Sequence, residues 1–200
     1  MIDRVITSGT FSLDGGTWEV DNNVWIVGDA REVIVIDAAH SASAILDRVG
    51  DRTIKAVVCT HGHNDHINAA ADLGAPILLH PADHMLWEAV YGEAVPYTPL
   101  RDGEKLEVGG VTFEVMHTPG HSPGAVCLLG QGVLFSGDTL FKGGPGATGR
   151  SFSSFETIID SIRTRLLVLP PETVVKTGHG DSTTIGAEAP HLGEWIARGY

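Results

Sequence analysis

The stretch Thr60-His61-Gly62-His63-Asn64-Asp65-His66 constrains this chain more than any other. Its last six residues carry three imidazoles and a carboxylate. The preceding run, Ile54-Lys55-Ala56-Val57-Val58-Cys59, reads as a buried strand, so the polar cluster sits where a strand ends and a loop begins. In an extended segment, residues two apart point the same way. That puts His61, His63 and Asp65 on one side and turns His66 away. One metal on the His-x-His pair, and a second reached by the Asp-His pair, fit this arrangement. Neutral imidazole and carboxylate oxygen suit zinc, iron or manganese. The alternative is a polar surface loop that happens to be rich in histidine. Four potential ligands in six residues at a strand end argue against it.

Two hundred residues favour one domain spanning residues 1–200. A net charge of -12, with no local basic patch, argues against nucleic-acid and anionic-membrane partners. Bound dications would offset part of that charge. Met1-Ile2-Asp3-Arg4-Val5 lacks the apolar core of a signal peptide, and no run reaches membrane-spanning length, so a cytoplasmic protein is expected. Cys59 and Cys127 each lie in an apolar, strand-like run. Buried thiols in a reducing compartment are expected over a disulfide. The oligomeric state is left open.

Residues 2–9 and 17–37 read as strands, with a hairpin turn at Asp14-Gly15. Asp37 ends the last of them, and is either a turn residue or an acceptor supporting the metal loop. Ser41 caps a helix from Ala42 to Val49, stopped by Gly50. Ile67 to Leu73 and Pro81 to Tyr91 read as helices, with a strand at 76–80 between them. The alternation from 33 to 91 is α/β layering. Further on, 105–108, 111–117, 125–129 and 133–135 read as antiparallel strands. Thr139 to Arg150 is a long loop with four glycines and a proline, of the kind that is functional or disordered. Ser151 to Leu169 is a helix, Thr173 to Thr177 a strand, and His191 to Arg198 a closing helix. The two halves predict a two-sheet core with helices outside, an αββα arrangement.

Three more loops repeat the first theme, each placing a potential ligand just after a strand in a glycine-rich turn. They are Thr118-Pro119-Gly120-His121-Ser122-Pro123-Gly124, Phe135-Ser136-Gly137-Asp138-Thr139 and Thr177-Gly178-His179-Gly180-Asp181. Each alone is a weak signal. Together they matter because strand ends of a layered sheet converge on one rim. The count also closes. One metal takes His61, His63 and His121; the other takes Asp65, His66 and His179; Asp138 has two oxygens and bridges them. Such pairs sit ~3.5–4 Å apart and lower the pKa of bound water to roughly 7. Asp65 and Asp138 are read as the catalytic carboxylates. His40 could be a neighbour of the Asp37 loop, whereas His80, His84, His117 and His191 have no assigned role.

With these motifs in view, the sequence resembles the metallo-β-lactamase superfamily, and within it the glyoxalase II (hydroxyacylglutathione hydrolase) branch. The residues carrying the likeness are Asp37, Thr60-His61-x-His63-x-Asp65-His66, Thr118-Pro119-Gly120-His121-Ser122-x-Gly124, Gly137-Asp138-Thr139-Leu140-Phe141 and Gly178-His179-Gly180. The resemblance implies a four-layer αββα sandwich with two divalent metals at one edge, zinc first and iron or manganese as alternatives. It also implies hydrolysis of an acyl thioester of a small thiol by a metal-bridging hydroxide. Asp138 speaks against antibiotic hydrolysis, since lactamases of this fold usually lack a bridging Asp there.

Two departures qualify the likeness. Only 21 residues follow His179, so the helical glutathione-binding domain of glyoxalase II is not expected. The basic residue that contacts the thiol's carboxylate in that branch is replaced by Ala147, within Gly144-Pro145-Gly146-Ala147. Arg150 is the candidate substitute. Trp87 to Leu100 and Gly143 to Phe152 are expected to shape the pocket mouth, although packing is the simpler reading for Trp87. Competing activities are a mononuclear-iron persulfide dioxygenase, a lactonase, an RNA-processing nuclease disfavoured by charge, and a non-catalytic metal-storing or scaffold protein with a vestigial site.

Overall fold

The computed structural model describes residues 1–199. Apolar alternation at period two builds it. In the run Val24-Trp25-Ile26-Val27, Val24 and Ile26 enter one core while Trp25 and Val27 enter another. Val33 and Val35 part from Ile34 and Ile36 in the same way, and Val57 and Cys59 from Ala56 and Val58. A strand apolar on both faces must be covered on both sides, and that requirement yields layers.

The first sheet contains β1 (Ile2–Leu13), β2 (Gly16–Gly28), β3 (Glu32–Ile36), β4 (Thr53–Val58), β5 (Ile77–Leu79) and β6 (Thr98–Pro99), in that order. β1 and β2 are a long antiparallel hairpin whose register closes at Leu13 and Gly16, so the predicted Asp14-Gly15 turn is correct. The crossover after β3 carries α1 (Ala42–Val49), capped by the Ser41 hydroxyl as expected. After β4 come α2 (Asn64–Ile67) and a 3-10 turn (Ala71–Leu73). After β5 come a second 3-10 turn (Pro81–Asp83) and α3 (His84–Tyr91).

The second sheet contains β7 (Lys105–Val108), β8 (Val111–His117), β9 (Val126–Gly130), β10 (Val133–Gly137), β13 (Val174–Thr177) and β14 (Thr183–Thr184). A small ribbon, β11 (Leu140–Phe141) with β12 (Gly144–Pro145), gives the predicted long loop its own structure. Outside this sheet lie α4 (Phe155–Ser161), a π-helical turn (Ile162–Leu166), α5 (Ile185–Glu188) and α6 (Leu192–Arg198). Between the two sheets, Trp25, Ile36 and Val58 meet Val115, Leu128 and Phe135. α1 and α3 cover the outer face of one sheet, and α4 and α6 that of the other. This is the predicted αββα sandwich. Cys59 faces the first outer core and Cys127 the other, so both are free thiols on opposite sides of the sandwich.

Three helix boundaries differ from the sequence reading. The helix expected over Ile67 to Leu73 starts earlier, at Asn64, and breaks into a 3-10 turn at Ala71. The helix expected from Ser151 starts at Phe155, because the Ser154 hydroxyl accepts the Thr157 amide and caps it there. α5 was not anticipated; Thr184 caps it through the Ala187 amide.

The candidate site follows from strand direction. β3 and β4 run parallel, as do β10 and β13. Asp37, the His61–His66 loop, Asp138 and His179 therefore leave the sheets at carboxyl ends on one rim. Two backbone bonds join the sheets there: Val126 N–H to Thr60 O at 2.8 Å, and Asn23 N–H to Gly178 O at 2.7 Å.

Candidate metal centre

The rim gathers all seven side chains assigned from the four strand-end loops. His61, His63 and His121 present ring nitrogens within 4.8 Å of one another, and so do the donor atoms of Asp65, His66 and His179. Asp138 lies between the groups. Its carboxylate is 3.7 Å from His121 Nε2, 3.5 Å from His66 Nε2 and 3.4 Å from His179 Nε2. The pairing of His61 with His63 follows the expected alternation. Asp65 and His66 reach their group differently, as neighbours on the single turn of α2 rather than on extended chain.

Four of the five rings, all but His63, rest one nitrogen on an oxygen partner, which fixes the ring and leaves its other nitrogen facing inward. His66 Nδ1 lies 3.0 Å from Asp37 Oδ2. His121 Nδ1 donates to Ala147 O at 2.8 Å, and His179 Nδ1 to Asp21 O at 2.8 Å. His61 Nδ1 donates to the Thr60 hydroxyl at 3.1 Å, and that hydroxyl donates to Asp37. Asp37 also accepts the Thr60 amide at 2.7 Å. Asp37 thus binds the loop at Thr60 and contacts the His66 ring. Asp65 Oδ2 accepts from the Asn22 amide, whose oxygen meets His40 Nε2 at 2.8 Å.

The inward side is where a cation fits. Buried polar atoms without a partner cost about 1–3 kcal/mol each. Among the described residues, five side-chain atoms are in that position, and four of them are His61 Nε2, His63 Nε2, Asp65 Oδ1 and Asp138 Oδ1. His63 Nδ1 faces His121 Nε2 at 3.0 Å, and His66 Nε2 faces His179 Nε2 at 3.1 Å. With the outward nitrogens of His121, His66 and His179 donating, their Nε2 atoms carry lone pairs. Between His66 and His179 the facing lone pairs call for a proton or a metal cation. Gly178 belongs to this packing, because a Cβ there would fall 2.1 Å from Asp138 Oδ1.

Charge divides the cluster. Burial and the neighbouring imidazoles push His61 well down, and burial with His121 brings His63 to about 3, so both rings are neutral donors. Burial alone would raise Asp65, but the His66 ring and a hydrogen bond from His179 bring it to about 2. Burial would likewise raise Asp138, yet His66 and His179 hold it well below the usual carboxylate range. Burial opposes protonation of His179, and Asp138 with Asp65 nevertheless raises it to about 10. Of the three-imidazole group, His61 and His63 are thus uncharged, while the other group is rich in carboxylate.

A cleft of about 240 Å³ opens on this cluster, lined by Phe11, Trp18 and Val20 from the β1–β2 hairpin and by Ala147 and Arg150. The Arg150 guanidinium lies 3.8 Å from the centre of the Trp18 ring. The 143–152 loop therefore lines the mouth as expected, but the 87–100 segment does not. Trp87 is core, with its indole N–H on Val95 O. The sequence reading missed the hairpin aromatics, Asn22 and Asp83. For Asn22 a signal existed: two adjacent asparagines precede an apolar run within one strand, and both are fully buried. His80 and His117 stack on each other at 4.1 Å, away from the cluster.

The comparisons agree with this geometry. Residues 17–179 match the family model described as the metallo-beta-lactamase superfamily. Hydroxyacylglutathione hydrolase GloC of Haemophilus influenzae is 36% identical over 181 residues, covering 80% of this chain and 85% of that protein. Uncharacterized proteins of Mycobacterium bovis and Aquifex aeolicus match at 36% and 37%. Among solved structures, TTHA1623 in a di-iron-bound form is 33% identical with a TM-score of 0.77, covering 85% of this chain and 93% of that one. The BLEG-1 B3 metallo-beta-lactamase is 30% identical with a TM-score of 0.74, covering 94% and 99%. This chain belongs to the metallo-beta-lactamase superfamily.

Proposed function

We propose that this chain is a two-metal hydrolase of the glyoxalase II type, cleaving acyl thioesters of a small thiol. The observation that carries the reading is Asp138 standing between two three-residue donor groups, with His61 Nε2, His63 Nε2, Asp65 Oδ1 and its own Oδ1 buried without protein partners. His61, His63 and His121 would hold one cation and Asp65, His66 and His179 the other, with Asp138 within reach of both. When bound, a divalent pair supplies Lewis acidity and activation of water at neutral pH. The chain's part is to orient the rings through Asp37, Thr60, Ala147 and Asp21, and to seat the substrate between the hairpin aromatics and Ala147. A thiolate leaves easily, so no side chain is assigned as general acid. The borderline donor set favours zinc, and the di-iron form of TTHA1623 makes iron the competing choice. Two free buried thiols fit a reducing cytoplasm.

Arg150 is proposed as the substrate's anionic contact. Its guanidinium makes no ion pair among the described residues and is braced on Trp18, which leaves its N–H edge for a carboxylate. Arg150→Ala should raise KM for an anionic thioester; an unchanged KM removes the residue from the binding site.

The test is a substrate panel on metal-loaded protein: acyl thioesters of glutathione, coenzyme A and other small thiols, a lactone, a β-lactam, and a persulfide with oxygen uptake recorded. The β-lactam is included because of BLEG-1. Release of free thiol from a thioester is the expected result. Oxygen uptake with persulfide on iron-loaded protein, without thioester cleavage, would move the assignment to a dioxygenase.

A further inference from the structure

Asp83 is absent from the donor set, yet its carboxylate is held beside it by three hydrogen bonds. It closes the 3-10 turn before α3 and is completely buried. Its Oδ2 accepts the Gly62 amide at 2.8 Å and the Ser122 hydroxyl at 2.7 Å, and its Oδ1 accepts the Gly124 amide at 2.5 Å. No cation pairs with it among the described residues. A buried charge balanced only by neutral donors is expensive, so its position calls for an account.

The donors supply one. Gly62 lies between His61 and His63, and Ser122 and Gly124 follow His121. All three belong to the loops presenting the three imidazoles of one donor group, and none to the loops carrying Asp138 or His179. The backbones have been brought in close to allow this. A Cβ on Gly124 would lie 2.7 Å from the Asp83 backbone nitrogen, and one on Gly62 would lie 2.8 Å from Leu86 Cβ. The other group has supports that Asp83 does not touch: Asn22 on Asp65, the Asp21 carbonyl on His179, and Asp37 on His66, although Asp37 also reaches His61 through Thr60.

We infer that Asp83 is the positioning residue for one half of the metal centre: its carboxylate clasps the His61–His63 loop to the His121 loop and thereby sets the affinity of the three-imidazole position, not of its neighbour. The inference rests on the two-metal reading above, but not on the substrate assigned there.

The experiment is titration of the metal-free full-length protein with zinc by calorimetry, with metal content measured after desalting and far-ultraviolet circular dichroism recorded on each variant. The wild type should show two binding steps. Asp83→Asn keeps the side chain's shape but turns an N–H group toward donors; it should weaken one step roughly 10–100-fold, as loss of a ligand's support does, and leave the other unchanged. The double variant D83N/H179A should then retain no zinc after desalting. Ser122→Ala removes a single donor from the clasp and should weaken the same step by less; it decides the matter if D83N fails to fold. Two unaltered steps in both single variants overturn the inference, as does equal weakening of both steps. A wild type that binds one zinc overturns the two-metal reading as well, whereas failure to cleave any thioester leaves this titration unaffected.

Discussion

Four of the site's five histidines rest one ring nitrogen on an oxygen acceptor and turn the other inward, and the acceptors are as specific as the rings. Asp37 is the busiest of these, holding Thr60 by two hydrogen bonds and His66 by a third contact. Asp37→Ala should therefore cost roughly 10–100-fold in metal affinity, read by competition with a zinc chelator; unchanged affinity would reduce Asp37 to a turn residue. The seven side chains that the fold gathers at the rim could be picked out of the sequence because each sits in a short motif at a strand end, where residue type and spacing speak together. Their supports were harder to see. Ala147 and Asp21 act through carbonyl oxygens, which any residue carries. Asp83 lies within the helix expected over Pro81 to Tyr91, and only the fold brings Gly62 and Gly124 to it.

At the scale of elements, layering follows from apolar alternation, and the cores should respond accordingly. Leu128 is fully buried between the sheets, so Leu128→Ala should cost about 2–5 kcal/mol in urea unfolding. A cost below about 1 kcal/mol would mean that the sheets do not pack on one another there. The π-helical turn is tied to the connection ahead of β7 by Arg165, whose guanidinium meets Asp102 at 2.8 Å. That hydrogen bond, with the His117 amide, holds the Asp102 carboxyl below its usual range. A depressed carboxylate contributes stability above its unfolded pKa of roughly 3.9 and loses it as pH falls through the lower folded value. Arg165→Ala should thus cost at most about 1 kcal/mol at pH 7, the pair being half exposed, and nothing once Asp102 is protonated in acid. A penalty that persists in acid would trace to packing of the arginine stem instead. Helix starts at Phe155 and Ile185 escaped the sequence reading, because hydroxyl caps at Ser154 and Thr184 compete with other plausible starts nearby. The hairpin aromatics escaped it because Phe11 fell outside the expected strands and Trp18 read as an ordinary strand residue, and only the register brings them side by side.

For the whole molecule, the donor cluster concentrates carboxylate and unpartnered nitrogen inside a chain of net charge -12. Metal binding and folding are then linked: a ligand bound only by the folded state stabilises it by about 2.7 kcal/mol at a hundred times its Kd. Dialysis against a chelator should lower the thermal midpoint, and zinc should restore it. The sandwich needs no metal to close, since its three apolar cores are complete without one, so the metal-free chain should still melt cooperatively. Titrating that metal-free protein with zinc, while recording thiol release from an acyl thioester, tests the central claim most directly. Activity should rise from zero and level off at two equivalents per chain. A plateau at one equivalent, or no thiol released at any loading, would contradict it.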